Sequence, residues 1–337
     1  MRRHSSGVLL AASFASVLVG CGPYGRPGDP LRRLGDEIIV CGRLFHTGAP
    51  VVTWLDSGGY DAYRLERRFE PGATRPSNPA DPDSPARYGS WRTPLPEDIA
   101  EPVRQHGWTL EELQRVVDQF VIHYDVCGTS RQCFKILHDV RGLSVQFMLD
   151  IDGTIYQTLD LKERAWHAGS ANSRSVGVEI AHIGAYPDFK TLDVWYQRDA
   201  SGRVRITLPA WMGDGGVRTP GFVGRPARPE PARGRVQGRE LVQYDFTNEQ
   251  YESLIRLTAT LCRVFPRLAC DAPRDARGMV IDRVLPDDGL ATYRGLLGHW
   301  HITTNKIDPG PAFDWFRVIN GARRYLGMPP LPVPPRA

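Results

Sequence analysis

Two helix-start signals, one near residue 109 and one near residue 247, each lead into an apolar stripe at helical spacing. The stretch between them has the period of strands, so the chain reads as α/β. Thr109 and Glu112 have the spacing of a capping box, and Trp108 and Leu113 that of a hydrophobic staple. Leu113, Val116, Val117 and Phe120 continue the stripe, which predicts a helix over 110–119. Thr247 with Gln250 and Phe246 with Tyr251 repeat both signals ahead of a longer stripe through Leu254, Ile255, Thr258, Leu261, Cys262 and Phe265. Between them the pattern predicts a strand over 120–124, a short helix around 131–139 and a hairpin over 144–159 with a type I′ turn at Asp152-Gly153. A further strand is predicted over 175–181; its alternation sends Val176, Val178 and Ile180 to one face and Gly177 and Glu179 to the other.

The flanks are different. Arg2 and Arg3 precede an apolar run over 8–19 that ends in Leu18-Val19-Gly20-Cys21. A charged start, about a dozen apolar residues and small residues at the cut read as a secretory signal, too short to span a bilayer. Leu-Val-Gly-Cys resembles a bacterial lipobox, which implies cleavage before Cys21, acylation of its thiol and a protein anchored to the membrane without crossing it. No Asp directly follows Cys21 to signal inner-membrane retention, so the expected location is the outer membrane facing the periplasm in a Gram-negative cell. Residues 1–20 hold two arginines and no acid, so their removal lowers the net charge from +4 to +2, too little to argue for nucleic acid. Residues 21–104 read as a tether and N-terminal extension, with a hairpin over 37–54 turning at His46-Thr47-Gly48 and a linker over 71–85 that holds five prolines. The main domain is expected over 105–325. It carries a Gly-, Pro- and Arg-rich insertion over 188–240 without clear periodicity, read as a solvated surface loop, and a frayed Pro-rich tail over 326–337. In an oxidising compartment the local pairs Cys127 with Cys133 and Cys262 with Cys270 are expected as disulfides, with Cys41 left over.

The chemistry concentrates in GHWHITTNKIDPGPAFDW, which starts at Gly298. Pro309 biases Asp308 toward an extended backbone and Gly310 permits a sharp turn, so the carboxylate is held. A carboxylate and an imidazole on such a loop are two of the three protein ligands of a catalytic zinc. The third is best sought at His123, at the end of the apolar strand Phe120-Val121-Ile122-His123-Tyr124. A lone strand-end histidine is more often structural, and His301 competes with His299 for the ligand position.

FVIHYDVCGTSRQC, SVQFMLDIDGTIYQ, RAWHAGSANSRSVGVEIAH and GHWHITTNKIDPGPAFDW, in that order, resemble the zinc-dependent N-acetylmuramoyl-L-alanine amidases of the amidase-2 class, which are related to peptidoglycan recognition proteins. The resemblance covers about residues 105–320. It implies that His123, His299 and Asp308 bind Zn2+, that Glu179 is the general base and that Lys306 stabilises the oxyanion. Trp166, His167 and Asn172 fall in the block beside the substrate groove, and Cys127 and Cys133 match a disulfide of the recognition proteins. Gln146 departs from the histidine that many relatives carry there. The loop from His299 to Lys306 is one residue shorter than in cytosolic muropeptide-recycling relatives.

These residues lead to an expected α/β domain with a central mixed β-sheet flanked by helices and a zinc at one edge. The expected protein is a monomer that cleaves peptidoglycan or muropeptides between N-acetylmuramic acid and L-alanine. The rival readings are a peptidoglycan-binding lipoprotein without activity and a zinc peptidase acting on the stem peptide. His46, His138 and His182 are expected as structural or surface residues.

Overall fold

The computed structural model describes residues 27–69 and 86–334; the expected signal segment with Cys21 and the linker 71–85 lie outside the described residues. The compact unit that carries the site starts at Gly35. Six strands form its central sheet in the spatial order Gly295–Gly298, Gln119–Tyr124, Ser175–Ile180, Phe147–Leu149, Ile155–Gln157 and Val51–Thr53. Neighbours are parallel except for the antiparallel pair Phe147–Leu149 and Ile155–Gln157, so the sheet is mixed as expected.

The period of two divides the sheet into faces of different character. Phe120, Ile122, Tyr124, Val176, Val178, Ile180, Phe147 and Leu149 enter one core with Leu254, Leu257 and Leu261 of the helix Asn248–Val264 and Val318, Ile319 and Ala322 of the helix Trp315–Tyr325. The long helix starts at the expected capping box. Thr247 Oγ1 accepts from Gln250 N at 3.0 Å while Gln250 Oε1 accepts from Thr247 N at 2.9 Å. The two helices approach closely because Gly321 faces Ile255, where a Cβ would come within 2.7 Å of the side chain. The opposite face carries Val121, His123, Gly177, Glu179, Met148, Tyr156 and Val52; the helix Ser130–Phe134 and its continuation cover one part and Ala168, Ala171 and Leu285 another, and of these seven residues Glu179 stays open to solvent in part.

Several expectations change in detail. The first predicted helix ends at Val116, because Val117 is already extended and leads into the strand. The short helix Ser130–Phe134 passes into a π-helical segment Lys135–Val140. Asp152-Gly153 is not a two-residue type I′ turn: residues 150–154 form a longer loop in which only Gly153 has a positive φ. The N-terminal hairpin turns at Cys41-Gly42, with φ of 48° and 70°, not at His46-Thr47-Gly48, and Val51–Thr53 then joins the sheet edge. Segment 188–240 is not structureless. The hairpin Tyr196–Arg198 with Val204–Ile206 and the strand Ala232–Val236, paired with Arg239–Gln243, give it regular structure over its own apolar cluster. The tail is pinned rather than frayed up to Leu331, whose N–H and carbonyl both bond the Asn320 side chain. The five described cysteines are free thiols. Cys127 nevertheless lies within hydrogen-bond reach of Cys133, and Cys262 of Cys270, so the expected partners are adjacent without being bridged. No described helix is long and apolar enough to cross a membrane.

The N-terminal extension supplies an organising residue that no motif announces. Arg92 is fully buried, and its guanidinium donates to the carbonyls of Leu161, Lys162, Glu163, Asn172, Ser173 and Ser175 at 2.7–3.3 Å. Burial lowers its pKa to about 10, which leaves it charged at neutral pH. It therefore gathers both ends of the loop that carries Trp166 and His167. Arg92→Leu should cost about 3 kcal/mol or more in urea unfolding, because the carbonyls lose a charged partner inside the fold.

His182 is wired as a neutral ring. Nε2–H faces the Tyr244 carbonyl at 2.9 Å, and Nδ1 accepts from Gly184 N at 2.8 Å. Burial lowers its pKa to about 4, against 6.5 when exposed. The unfolded chain therefore binds this proton first as pH falls, and the stabilisation present above pH 6.5 is lost between 6.5 and 4. A comparison of wild type with His182→Gln by denaturation across that window should isolate a contribution on the order of 3 kcal/mol.

Candidate metal centre

His123 closes the strand Gln119–Tyr124 and pairs in parallel register with Glu179, so both side chains stand next to one another on the partly open face. Gly295–Gly298 flanks the first strand on its other side and ends in the turn His299–His301, which sets His299 beside His123. Asp308 returns to the same point. Trp300 N donates to its carbonyl at 3.3 Å, and Gly298 admits Pro309, whose ring would lie 2.9 Å from a Cβ there. Gln243 fastens this loop from the hairpin beside segment 188–240, donating to Pro309 O at 3.0 Å and accepting from Ala312 N at 2.9 Å. Gly310, at φ 83°, leaves the room that the Gln243 amide occupies.

Three atoms converge as a result. His123 Nδ1 lies 3.0 Å from His299 Nδ1 and 2.9 Å from Asp308 Oδ2, and His299 Nδ1 lies 3.0 Å from Asp308 Oδ2. All three residues are buried and form a group able to hold a metal ion. Their separations are close to the edge of about 3.3 Å expected of a tetrahedron of nitrogen and oxygen ligands around a first-row metal. The charge states also suit a cation. Burial and the neighbouring His299 lower the His123 pKa to about 4, which keeps the ring neutral. Burial opposes ionisation of Asp308, but His299 and His123 hold its carboxyl well below the usual range. A neutral imidazole and an ionised carboxylate are the forms that coordinate metal. His301 is excluded from the group: Nδ1 accepts from Gly298 N at 2.9 Å and Nε2 donates to Ile281 O at 2.7 Å.

Around these three stand the other expected residues. Glu179 has a buried Oε2 with no hydrogen-bond partner, and burial followed by the charges of Asp308 and Asp125 raises its pKa well above the usual range. Lys306, half-buried, is near enough for its charge to act on both His123 and Glu179. His167 stands behind His123, with Nδ1 2.9 Å from His123 Nε2 and Nε2 3.3 Å from Ser175 Oγ. The ring that touches His123 on the side away from the other two donors fixes its orientation, the usual role of a partner to a ligating histidine. Asn172 uses its side-chain oxygen to accept from His167 N and Ala168 N, so it shapes the loop. The indole nitrogen of Trp166 is buried without a partner. Gln146, in place of a histidine, accepts from Gly177 N and donates to Glu163 O. A second grouping, Asp36, Glu37 and His46, lies toward the surface, and its carboxylates accept from the amides of Gly35, Asp36 and Gly48. Arg92, Gln243 and Ser175 are the supporting residues that sequence reasoning missed; only Ser175 carried a signal, its place two residues before Gly177 on the same strand face.

The family profile described as Amidase_2, N-acetylmuramoyl-L-alanine amidase, matches residues 113–311. No curated protein matches the chain. Among solved structures the chain is similar to a selenomethionine derivative of AmpD, at 17% identity over 61% of this chain and 84% of that one, with a TM-score of 0.30. It is also similar to the N-acetylmuramyl-L-alanine amidase AmiD from E. coli, in complex with anhydro-N-acetylmuramic acid-L-Ala-D-γ-Glu-L-Lys, at 18% identity over 63% and 58% with a TM-score of 0.33. A third is the endolysin amidase LysCS from Clostridium intestinale, at 16% identity over 64% and 88% with a TM-score of 0.32.

The position of His167 depends on Gly177, where a Cβ would sit 2.5 Å from the imidazole. Gly177→Ala should therefore destabilise the protein by roughly 1–3 kcal/mol through overpacking, read as a lower urea midpoint at unchanged slope.

Proposed function

Because the chain belongs to the Amidase_2 family of N-acetylmuramoyl-L-alanine amidases, its reaction is hydrolysis of the amide between N-acetylmuramic acid and L-alanine in peptidoglycan, and we propose that it works as a zinc enzyme with His123, His299 and Asp308 as the protein ligands. The observation that carries the metal reading is the convergence of three donor atoms within 3.0 Å of one another. When bound there, zinc supplies a Lewis acid for the amide carbonyl and lowers the pKa of water.

The chain's own groups handle the protons and charge. Glu179 stands one strand from His123 with a partner-free oxygen, so it takes the proton released by the attacking water and delivers it to the nitrogen of L-alanine as the C–N bond breaks. The water oxygen ends on the lactyl carboxyl, and L-alanine leaves as a free amine. The raised pKa of Glu179 suits this shuttle, because a carboxyl closer to neutrality both accepts and returns a proton. Lys306 is a point charge beside the same atoms and offsets the charge on the tetrahedral oxygen. His167 and Ser175 hold His123 in the tautomer that directs Nδ1 to the centre.

The mature protein is proposed to act from the envelope, anchored through acylated Cys21 with its body as a monomer in the periplasm. Oxidation there would close Cys127 with Cys133 and Cys262 with Cys270, thiols that already adjoin.

Protein lacking residues 1–21 should release stem peptides with a free L-alanine amine from muropeptides and contain about one zinc per chain. Chelation should abolish the activity and added zinc restore it. Glu179→Ala should lower kcat by about 10²–10⁴ with metal content unchanged. Intact muropeptides in the presence of zinc would leave a binding protein as the better reading, and cuts within the stem would indicate a peptidase.

A further inference from the structure

The partly open face of the sheet carries a second feature, away from the metal centre. From His123 the register runs through Glu179 and Met148 to Tyr156 and Val52 on the edge strand. Three strand spacings, about 14 Å, separate His123 from Tyr156. There a cavity of about 330 Å³ opens, with Arg68, Arg131 and Arg218 on its walls beside Tyr60, Tyr156 and Phe69.

The walls come from three separate segments. Tyr60, Arg68 and Phe69 belong to the N-terminal extension, outside the stretch matched by the family. Arg131 projects from the helix Ser130–Phe134 that stands between the cavity and the metal centre. Arg218 belongs to segment 188–240, and the next residue is fastened: Thr219 N and Oγ1 both donate to Asp152 Oδ2, at 2.9 and 2.8 Å. Gly216 brings the same loop against Arg131, where a Cβ would come 2.5 Å from its Cδ.

Stacking orients two of the three guanidinium groups, and Asp152, an acid that acts with Arg218 on Tyr156, is bonded to Thr219. Arg68 lies over the rings of Tyr60 and Phe69, 5.1 and 5.2 Å from their centroids, and donates to the Gly59 carbonyl. Arg131 lies over Phe69 at 5.4 Å. Stacking fixes the guanidinium plane and leaves its edge free for a bidentate oxyanion. Among the described residues, none of the three forms an ion pair. Burial raises Tyr60 and Tyr156 far from titration at neutral pH, so their hydroxyls, bonded to one another, add no negative charge.

We propose that this cavity is a carboxylate-binding subsite for the free carboxylates of peptidoglycan stem peptides, built by the N-terminal extension and segment 188–240 together. It rests on the peptidoglycan reading above. Four extended residues reach at most about 14 Å, so the carboxylate comes either from the far end of the stem being cut or from a neighbouring stem in the polymer.

Binding can be read without catalysis. Protein lacking residues 1–21 should bind a stem tetrapeptide with free carboxylates about tenfold more tightly than the same peptide amidated, measured by titration calorimetry. The double variant Arg131→Gln/Arg218→Gln, which breaks no described hydrogen bond, should lose that preference while keeping the wild-type urea midpoint. Equal binding of the two peptides by wild type, or a preference that survives in the double variant, overturns the proposal. The source follows from KM. A rise of about tenfold in the variant on single-stem muropeptides and on sacculi assigns the same stem, a rise on sacculi alone assigns a neighbouring stem, and no rise on either overturns the proposal. Absence of cleavage by wild type would count against the amidase reading alone, since the peptide titration does not depend on turnover.

Discussion

The parallel pairing of Gln119–Tyr124 with Ser175–Ile180 is the constraint on which the rest of the structure depends. It sets His123 beside Glu179, with no loop between them to adjust. A shift of one residue would exchange the faces of the strand, turning His123 and Glu179 into the helix-covered core and Val178 outward. The apolar alternation of both strands therefore fixes the site as firmly as it fixes the core. His299 is delivered to this fixed point by a third strand in the same parallel set, so backbone hydrogen bonds determine most of the distance from His123 to His299.

Around that framework the supporting contacts are long-range, and one of them comes from outside the stretch matched by the family. Arg92 reaches across 69 to 83 residues to gather the carbonyls of the His167 loop. Gln243 fastens the Asp308 loop from 66 residues away. Both are single polar side chains satisfied by backbone, an arrangement that tolerates little substitution because the neighbouring carbonyls cannot find other partners once buried. The extension, through Arg92, and the end of the hairpin beside segment 188–240, through Gln243, therefore brace the centre.

What was legible in the sequence follows from range. Capping boxes, strand alternation and the Asp308-Pro309-Gly310 turn are local signals, and they found the helix Asn248–Val264, the two principal strands and the turn after Asp308. The choice between His299 and His301 was not local. It is decided by Gly298 N and Ile281 O, which occupy both nitrogens of His301. The turn at Cys41-Gly42 was missed because cysteine gives no sign of a positive φ, and the strands within 188–240 because three to five residues rich in arginine show no clear period. Arg92 sits in the N-terminal extension just after the Pro-rich linker, and nothing nearby reveals that its partners lie on a distant loop.

The separation of His123 from His299 by 176 residues has a consequence for how the protein is made. A chain synthesised from its N-terminus presents His123 and Glu179 long before the segment with His299, Lys306 and Asp308 exists. Until Gly295–Gly298 docks beside the first strand, there is neither a completed sheet edge nor two of the three donor atoms. A nascent or truncated chain that ends before this segment therefore holds His123 and Glu179 without the two donors that complete the group.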